Sequence, residues 1–293
     1  MTNRVLPAFL GIGGAKCGTT TLHDLLARHP SIFVPPEKEL SFFSSDGTFA
    51  KGPGWYASFF QDAENQQLRG EITPQYMYAP DAPDRVHALL GPSVKLIVML
   101  RNPADRAFSH YRHMRYRGYD DLPFDGALDA EAERIARGPL EREQFSYVDR
   151  GFYARQLAPW VERFGRDALF TIVFETDFRA DLPATLARLQ AFLGVPHHDL
   201  PLETHSNRTE QAAFPLLNRL VFRTSQRFRP LYRAVLPSRA LRRRIIGALP
   251  SGGTPERIDP VVRQRLIDGV FEPDIAALER LLGRDLSHWR SPS

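Results

Sequence analysis

The stretch 11-GIGGAKCGTTTLHDLL-26 sets two glycines, Gly13 and Gly18, a lysine, Lys16, and the threonines Thr19, Thr20 and Thr21 between an apolar run and a helix-like pattern. Backbone amides of a glycine turn at a helix N-terminus converge on one position, the positive helix end favours negative charge there, and a lysine adds a full charge. The chemistry on offer is anion binding. A magnesium-dependent nucleotide hydrolase would put its lysine directly after the second glycine, in G-x-x-x-x-G-K-[ST], and an aspartate for the metal at the end of a neighbouring strand. Here Thr19 follows Gly18, and the apolar run 94-VKLIVML-100 ends in Arg101. A cation where the metal's carboxylate would stand favours direct binding of a different anion. The plainer alternative is a tight strand-to-helix turn whose threonines only cap the helix.

Those residues need elements to hold them. Ala8 to Gly14 reads as a short buried strand, and from about Gly18 the spacing of Leu22, Leu25 and Leu26 predicts a helix stopped by His29-Pro30. Gly70 to Thr73 predicts a second strand, broken by Pro74, and 94-VKLIVML-100 a strand covered on both faces in a parallel sheet. In 101-RNPADRAFSHYRHMR-115, Asn102 suits an N-cap, Pro103 the first helical position and Asp105 the first turn. Further on, Tyr153, Leu157, Trp160, Val161 and Phe164 have helical spacing, 168-ALFTIVF-174 reads as a strand, and Leu182 to Leu193 as a helix ended by Gly194-Val195-Pro196. This alternation predicts an α/β fold with an open, mainly parallel sheet flanked by helices. A loop, 251-SGGTPERIDP-260, precedes two closing helices.

At 293 residues with 43% apolar content, the chain can bury a substantial core, and the expectation is one domain over 1–293, its core at about 8–195 and a helical, arginine-rich part at about 197–293. The lone cysteine, Cys17, excludes an internal disulfide and fits a reducing compartment. No secretory signal and no run of about 18 apolar residues is visible. A cytoplasmic location follows as an expectation. The net charge of +4 is uneven: nine arginines and no acid lie between Phe214 and Pro250, and taking those nine away leaves −5 for the rest.

G-x-x-K-x-G-T-T after the first strand, then E-K-E-L-S-F-F, then R-N-P-A-D-R-A-x-S-x-Y after a later strand, together resemble the sulfotransferases that use 3′-phosphoadenosine 5′-phosphosulfate (PAPS), in particular the heparan-sulfate-type group and its bacterial relatives. The resemblance covers about residues 8–195, and implies a P-loop NTPase-like fold and an in-line transfer of a sulfuryl group to a hydroxyl or amine, with 3′-phosphoadenosine 5′-phosphate (PAP) as product and no metal required. It implies that Lys16, Gly18, Thr19 and Thr20, with the backbone around Ala15 and Cys17, hold the 5′-phosphosulfate. Arg101 and Ser109 would hold the 3′-phosphate, Glu39 would act as base, and Lys38 would help orient donor or acceptor. The chemistry is coherent with these residue types. Lys16 can neutralise charge on the leaving phosphate, and a positioned carboxylate is worth about 10²–10⁴-fold as a general base. Standing alone, Glu39 would sooner be read as pairing with Lys38 or a nearby arginine at the surface than as a base, Arg101 could bridge at a strand end, and Ser109 could bond its own helix backbone.

The C-terminal part departs from the family, which often has a disulfide-closed hairpin and a K-G-R loop reaching the nucleotide. This chain has neither, and 251-SGGTPER-257, with Arg257, is the candidate replacement. Arg219, Arg223 and Arg227 fall on one helical face among Leu216, Leu217, Leu220, Val221 and Phe222. Such a stretch suits either an anionic membrane surface, here the inner leaflet, or an acidic acceptor, or it is a solvated helix face. The acceptor expected is a glycan or glycolipid, with protein tyrosine or a small molecule as alternatives. Nucleic acid ranks low as a partner, because basic residues occur without a reader motif. The rival functional classes are a non-catalytic scaffold that retains the fold and a kinase-like, nucleotide-triphosphate-dependent P-loop protein.

Overall fold

A computed structural model of the chain describes residues 5–64, 67–202 and 256–291. The arginine-rich segment 214–250, with the expected membrane contact, and the loop residues 251–255 lie outside the described residues. The chain divides into two compact units, one of residues 1–106, 152–206 and 264–293, the other of 107–151 and 207–263.

The first unit is built on a parallel sheet of five strands: β1 (Phe9–Gly13), β2 (Ile32–Phe33), β3 (Leu68–Ile72), β4 (Lys95–Leu100) and β5 (Leu169–Val173), in the order β2-β3-β1-β4-β5. All pairings are parallel. This is the α/β architecture expected. Helices α1 (Thr19–Leu26) and α10 (Leu182–Leu193) share a cluster with the strands: Leu22, Leu25, Leu26, Leu186 and Leu189 pack with Phe9, Ile97, Met99 and Ile172. Side chains alternate faces along a strand. Leu96, Val98 and Leu100 therefore point the other way from Ile97 and Met99, and they are equally buried. Coverage on both faces explains why β4 has no polar alternation, and each such buried aliphatic side chain stabilises the fold by about 1.5–3 kcal/mol.

Helix α9 (Tyr153–Phe164) packs against α4 (Ala82–Leu90) and α12 (Glu272–Leu282). Its N-terminus has no local cap. Asp274 from α12 accepts hydrogen bonds from the amides of Ala154, at 3.0 Å, and Arg155, at 3.3 Å. Two short helices, α2 (Asp46–Phe49) and α3 (Gly52–Ala57), carry aromatic residues of the segment between β2 and β3. The edge strand β2 is only two residues long, too short to leave a periodic signal in the sequence.

Helix α5 (Pro103–Tyr116) follows β4, as its sequence signals predict, with the Asn102 side chain accepting from the amides of Ala104 and Asp105 at 3.1 and 3.2 Å. The described part of the second unit holds most of α5 and the short helices α6 (Phe124–Asp129), α7 (Glu131–Ala136) and α8 (Pro139–Phe145). Buried Asp120 organises it, accepting from Arg134 and from the Tyr147 hydroxyl, both at 2.7 Å. Glu131 accepts from the amides of Val148 and Asp149. Helix α11 (Pro260–Leu266) begins the closing pair expected after residue 260. Among the described residues, no helix is long and apolar enough to cross a membrane.

Candidate active site

In an open parallel sheet, ligands bind beyond the carboxyl ends of the strands where the strand order reverses. Here it reverses at β1 and β4, and the loops leaving those ends are the glycine turn and the Arg101–Asn102 turn. The glycine turn is pinned at its base, where the Gly14 amide donates to the Met99 carbonyl at 2.6 Å. The Cys17 amide closes back onto the Gly14 carbonyl at 3.3 Å. Lys16 has φ 70° and Gly18, the residue before α1, has φ 97°. At Gly18 a Cβ would be strained by that backbone and would meet Met99 Cε at 3.2 Å and the Phe178 ring at 3.3 Å. Thr19, Thr20 and Thr21 form the first turn of α1, whose amides have no helical carbonyl to bond. The result is the strand, glycine turn and helix N-terminus that the motif predicts.

The Cys17 side chain turns inward, and its thiol donates to the Ala15 carbonyl of the same turn at 3.8 Å. It is buried against the Tyr153 hydroxyl at 4.0 Å, and burial pushes its thiol up to about 11 despite the nearby Arg106 and Arg101 cations. Desolvation outweighs any effect of the helix end. Tyr153 also donates to the Arg101 carbonyl at 2.9 Å, so one phenol touches both turns.

The segment 38–42 holds the expected acid. Lys38 Nζ donates to Glu39 Oε1 at 2.8 Å and to Thr20 Oγ1 at 3.0 Å, bridging this segment to the first turn of α1. Lys38 is half-buried, whereas the Glu39 carboxylate faces solvent. Among the described residues, the non-glycine residues with left-handed φ are Lys16, Glu39 at 62° and Ser41 at 53°. A conformation of this kind costs about 1–3 kcal/mol per residue and persists only where surrounding structure enforces it. Here the Phe42 amide donates to the Tyr76 hydroxyl at 3.1 Å, the Ser41 amide to Thr73 Oγ1 at 3.4 Å, and Thr48 Oγ1 to the Ser41 carbonyl at 2.6 Å.

Arg101 sits at the end of β4 with its guanidinium 5.0 Å from the centre of the Phe174 ring. The next residue is tied down twice: the Asn102 amide donates to Glu175 Oε1 at 2.9 Å, and its side-chain amide to the Trp289 carbonyl at 3.0 Å. Trp289 returns its indole N–H to Glu175 Oε2 at 3.1 Å. Lys16, Thr20, Lys38, Glu39 and Arg101 therefore all belong to the first compact unit. Ser109, on α5, and Arg257, exposed ahead of α11, belong to the second.

A family model described as "Sulfotransferase domain" matches residues 7–214. The chain belongs to this family. The sulfotransferase domain is 33% identical over 205 residues to the mouse bifunctional heparan sulfate N-deacetylase/N-sulfotransferase 4, covering 66% of this chain and 23% of that protein. It is 32% identical over 216 residues to the human heparan sulfate glucosamine 3-O-sulfotransferase 6, covering 74% of this chain and 60% of that one. The chain thus spans about a quarter of the length of the bifunctional relative. The crystal structure of a sulfotransferase from Alicyclobacillus acidocaldarius superposes with a TM-score of 0.70 at 29% identity, covering 97% of this chain and 99% of the other. That superposition fits the P-loop NTPase-like sheet with a helical C-terminal stretch expected of this chain.

Several residues at the site carry no motif. Tyr153 reads in the sequence only as a core position of α9, and Trp289 only as an aromatic near the C-terminus, so neither advertises its contact with the Arg101 turn. Glu175 does leave a signal, since it is an acid just past the apolar end of β5, where an unpaired charge would be costly, whereas Glu71 shares β3 with Arg69 and stands out less.

Proposed function

We propose that this chain transfers a sulfuryl group from PAPS to a hydroxyl or amine of a heparan-type glycan. The observation that carries the reading is the Lys38 bridge, because one ammonium bonds both the Glu39 carboxylate and the Thr20 hydroxyl at the mouth of the anion-binding turn. The donor set fits the proposed ligand: first-turn amides, threonine hydroxyls and Lys16 suit the 5′-phosphosulfate, and the Arg101 fork suits a phosphate dianion. Ser109 and Arg257 enter the proposal on the family pattern and the loop order alone.

When bound, PAPS supplies the sulfuryl group and leaves as PAP. Glu39 takes the proton from the acceptor oxygen or nitrogen as its bond to sulfur forms and the bond from sulfur to the 5′-phosphate oxygen breaks. Lys16 neutralises the electron pair left on that oxygen, the place where charge develops. Lys38 holds Glu39 aimed, and Arg101 fixes the far end of the nucleotide so that the approach is in line. The names of the two heparan sulfate relatives support a glycan acceptor, with an amine or a hydroxyl as the nucleophile.

The test is transfer of labelled sulfate from PAPS to a panel of de-N-sulfated heparan, a glycolipid, a phenol and a tyrosyl peptide. Preferential labelling of de-N-sulfated heparan is expected. Labelling of the phenol or the peptide alone would replace the acceptor class, and binding of PAP without labelling of any acceptor would favour a non-catalytic role.

A further inference from the structure

We propose that Glu71, buried at the end of β3, is a positioning residue that holds the Glu39 turn in its working conformation; this rests on the reading of Glu39 as the base. Glu71 is 2% exposed and lies beside β1, paired in register with Leu10. Its Oε1 accepts from the Tyr56 hydroxyl at 3.0 Å and from the Tyr76 hydroxyl, and its Oε2 accepts from Thr73 Oγ1 at 2.7 Å.

Each of those three hydroxyls leads to the turn. The Tyr76 oxygen accepts from the Phe42 amide and the Thr73 oxygen from the Ser41 amide. The Tyr56 ring stacks on the Phe42 ring with centroids 4.4 Å apart and planes 9° apart. A hydroxyl has one hydrogen to give. Tyr76 and Thr73 can offer lone pairs to the turn because their hydrogens point to Glu71, so both relays run from amide to hydroxyl to carboxylate. An ionised carboxylate terminates them without a competing donor. An amide in its place would set an N–H against one hydroxyl and reverse that relay. Burial outweighs the three hydroxyls and holds the Glu71 pKa above the ordinary carboxylate value, while the hydroxyls pull the other way, toward the ionised form.

The same segment is fastened to the strand that feeds the anion loop. The Thr73 amide donates to the Gly11 carbonyl at 2.9 Å and the Met77 amide to the Ile12 carbonyl at 2.7 Å. Glu71 thereby fixes the left-handed Glu39 and Ser41 backbone relative to the glycine turn, although it touches neither donor nor acceptor.

The test compares Glu71→Gln, Tyr76→Phe, Thr73→Val and Thr73→Ser with Glu39→Gln. Turnover is followed with PAPS and whichever acceptor of the panel is labelled fastest, PAP affinity by calorimetry, and the Ser41 and Phe42 amides by hydrogen exchange. Glu71→Gln and Tyr76→Phe are expected to lose roughly 10- to 100-fold in kcat, the scale of a small misplacement of a catalytic group, with PAP affinity and the KM for PAPS unchanged. Exchange at Ser41 and Phe42 should quicken, and Thr73→Ser should restore what Thr73→Val loses. Wild-type kcat in Glu71→Gln and Tyr76→Phe beside an inactive Glu39→Gln would overturn the positioning role, as would unchanged exchange at both amides. Full turnover in Glu39→Gln would instead remove the reading beneath it. A fall in kcat matched by a fall in PAP affinity would assign Glu71 to general stability alone.

Discussion

The glycine turn at 13–18 and the acid-bearing turn at 38–42 both place non-glycine residues in left-handed backbone, but different interactions hold them there. The first is enforced largely by its own residues: Gly18 supplies a backbone no other residue adopts cheaply, and the Gly14 amide's hydrogen bond to Met99 seats the loop on the sheet. The second contains no glycine between Lys38 and Phe42. It depends on hydroxyls and a carboxylate delivered by β3 and the residues just after it, and on an aromatic stack from α3. A turn encoded by its own residues tolerates distant change, whereas one assembled from tertiary contacts fails when any distant member is altered.

The sharpest way to break the comparison is to remove the reacting group from each turn. Glu39→Gln should cost about 10²–10⁴-fold in kcat while calorimetry finds PAP bound as before. Lys16→Ala should cost about 10²–10³-fold in kcat and weaken PAP as well, as its proposed role on the 5′-phosphosulfate requires. Equal PAP affinity in the two variants would erase the division between a donor turn and an acceptor turn. Gly18→Ala should destabilise the fold by about 1–3 kcal/mol in chemical denaturation, given its left-handed backbone. PAP affinity should fall with it.

A smaller effect is expected at the bridge. Lys38→Met keeps the apolar stem and removes the charge, and since the pair with Glu39 is partly exposed, the change in stability should stay within about 1 kcal/mol. Its kcat should fall by more than that stability change suggests, because two turns lose their common donor. Cys17 gives the smallest signal. Its thiol, pushed up to about 11, stays protonated at neutral pH, so iodoacetamide should label the native protein slowly and the denatured protein fast. The protonated form is the one the fold favours, so stability should decline as pH rises from the ordinary thiol range toward 11. Rapid native labelling at neutral pH would show that the loop opens.

The two turns also differ in how far they could be read in advance. The spacing of Gly13, Lys16, Gly18 and Thr19 marks a strand-to-helix glycine turn on its own terms, and the N-cap at Asn102 marks the start of α5. Strands β1 and β4 announce themselves as apolar runs because both their faces are covered, and β5 does so despite Thr171 and a partly exposed first half. The stretch E-K-E-L-S-F-F, in contrast, gains its meaning only from its resemblance to a family, and nothing in it reveals left-handed backbone at Glu39 and Ser41. Tyr153 and Trp289 lie far apart along the chain, yet both bear on the Arg101 turn.

By itself, then, the order of residues determined strands β1, β4 and β5, the helices α1, α5 and α10 that follow them and the positive pole at the first loop, since these follow from periodicity, glycine and charge within a few residues. Tertiary structure alone decided that Lys38 would join Glu39 to Thr20 and that buried Glu71 would gather three hydroxyls beneath the acid. Hydrogen-bond direction and desolvation depend on which distant groups share a space, and a linear pattern carries no record of that.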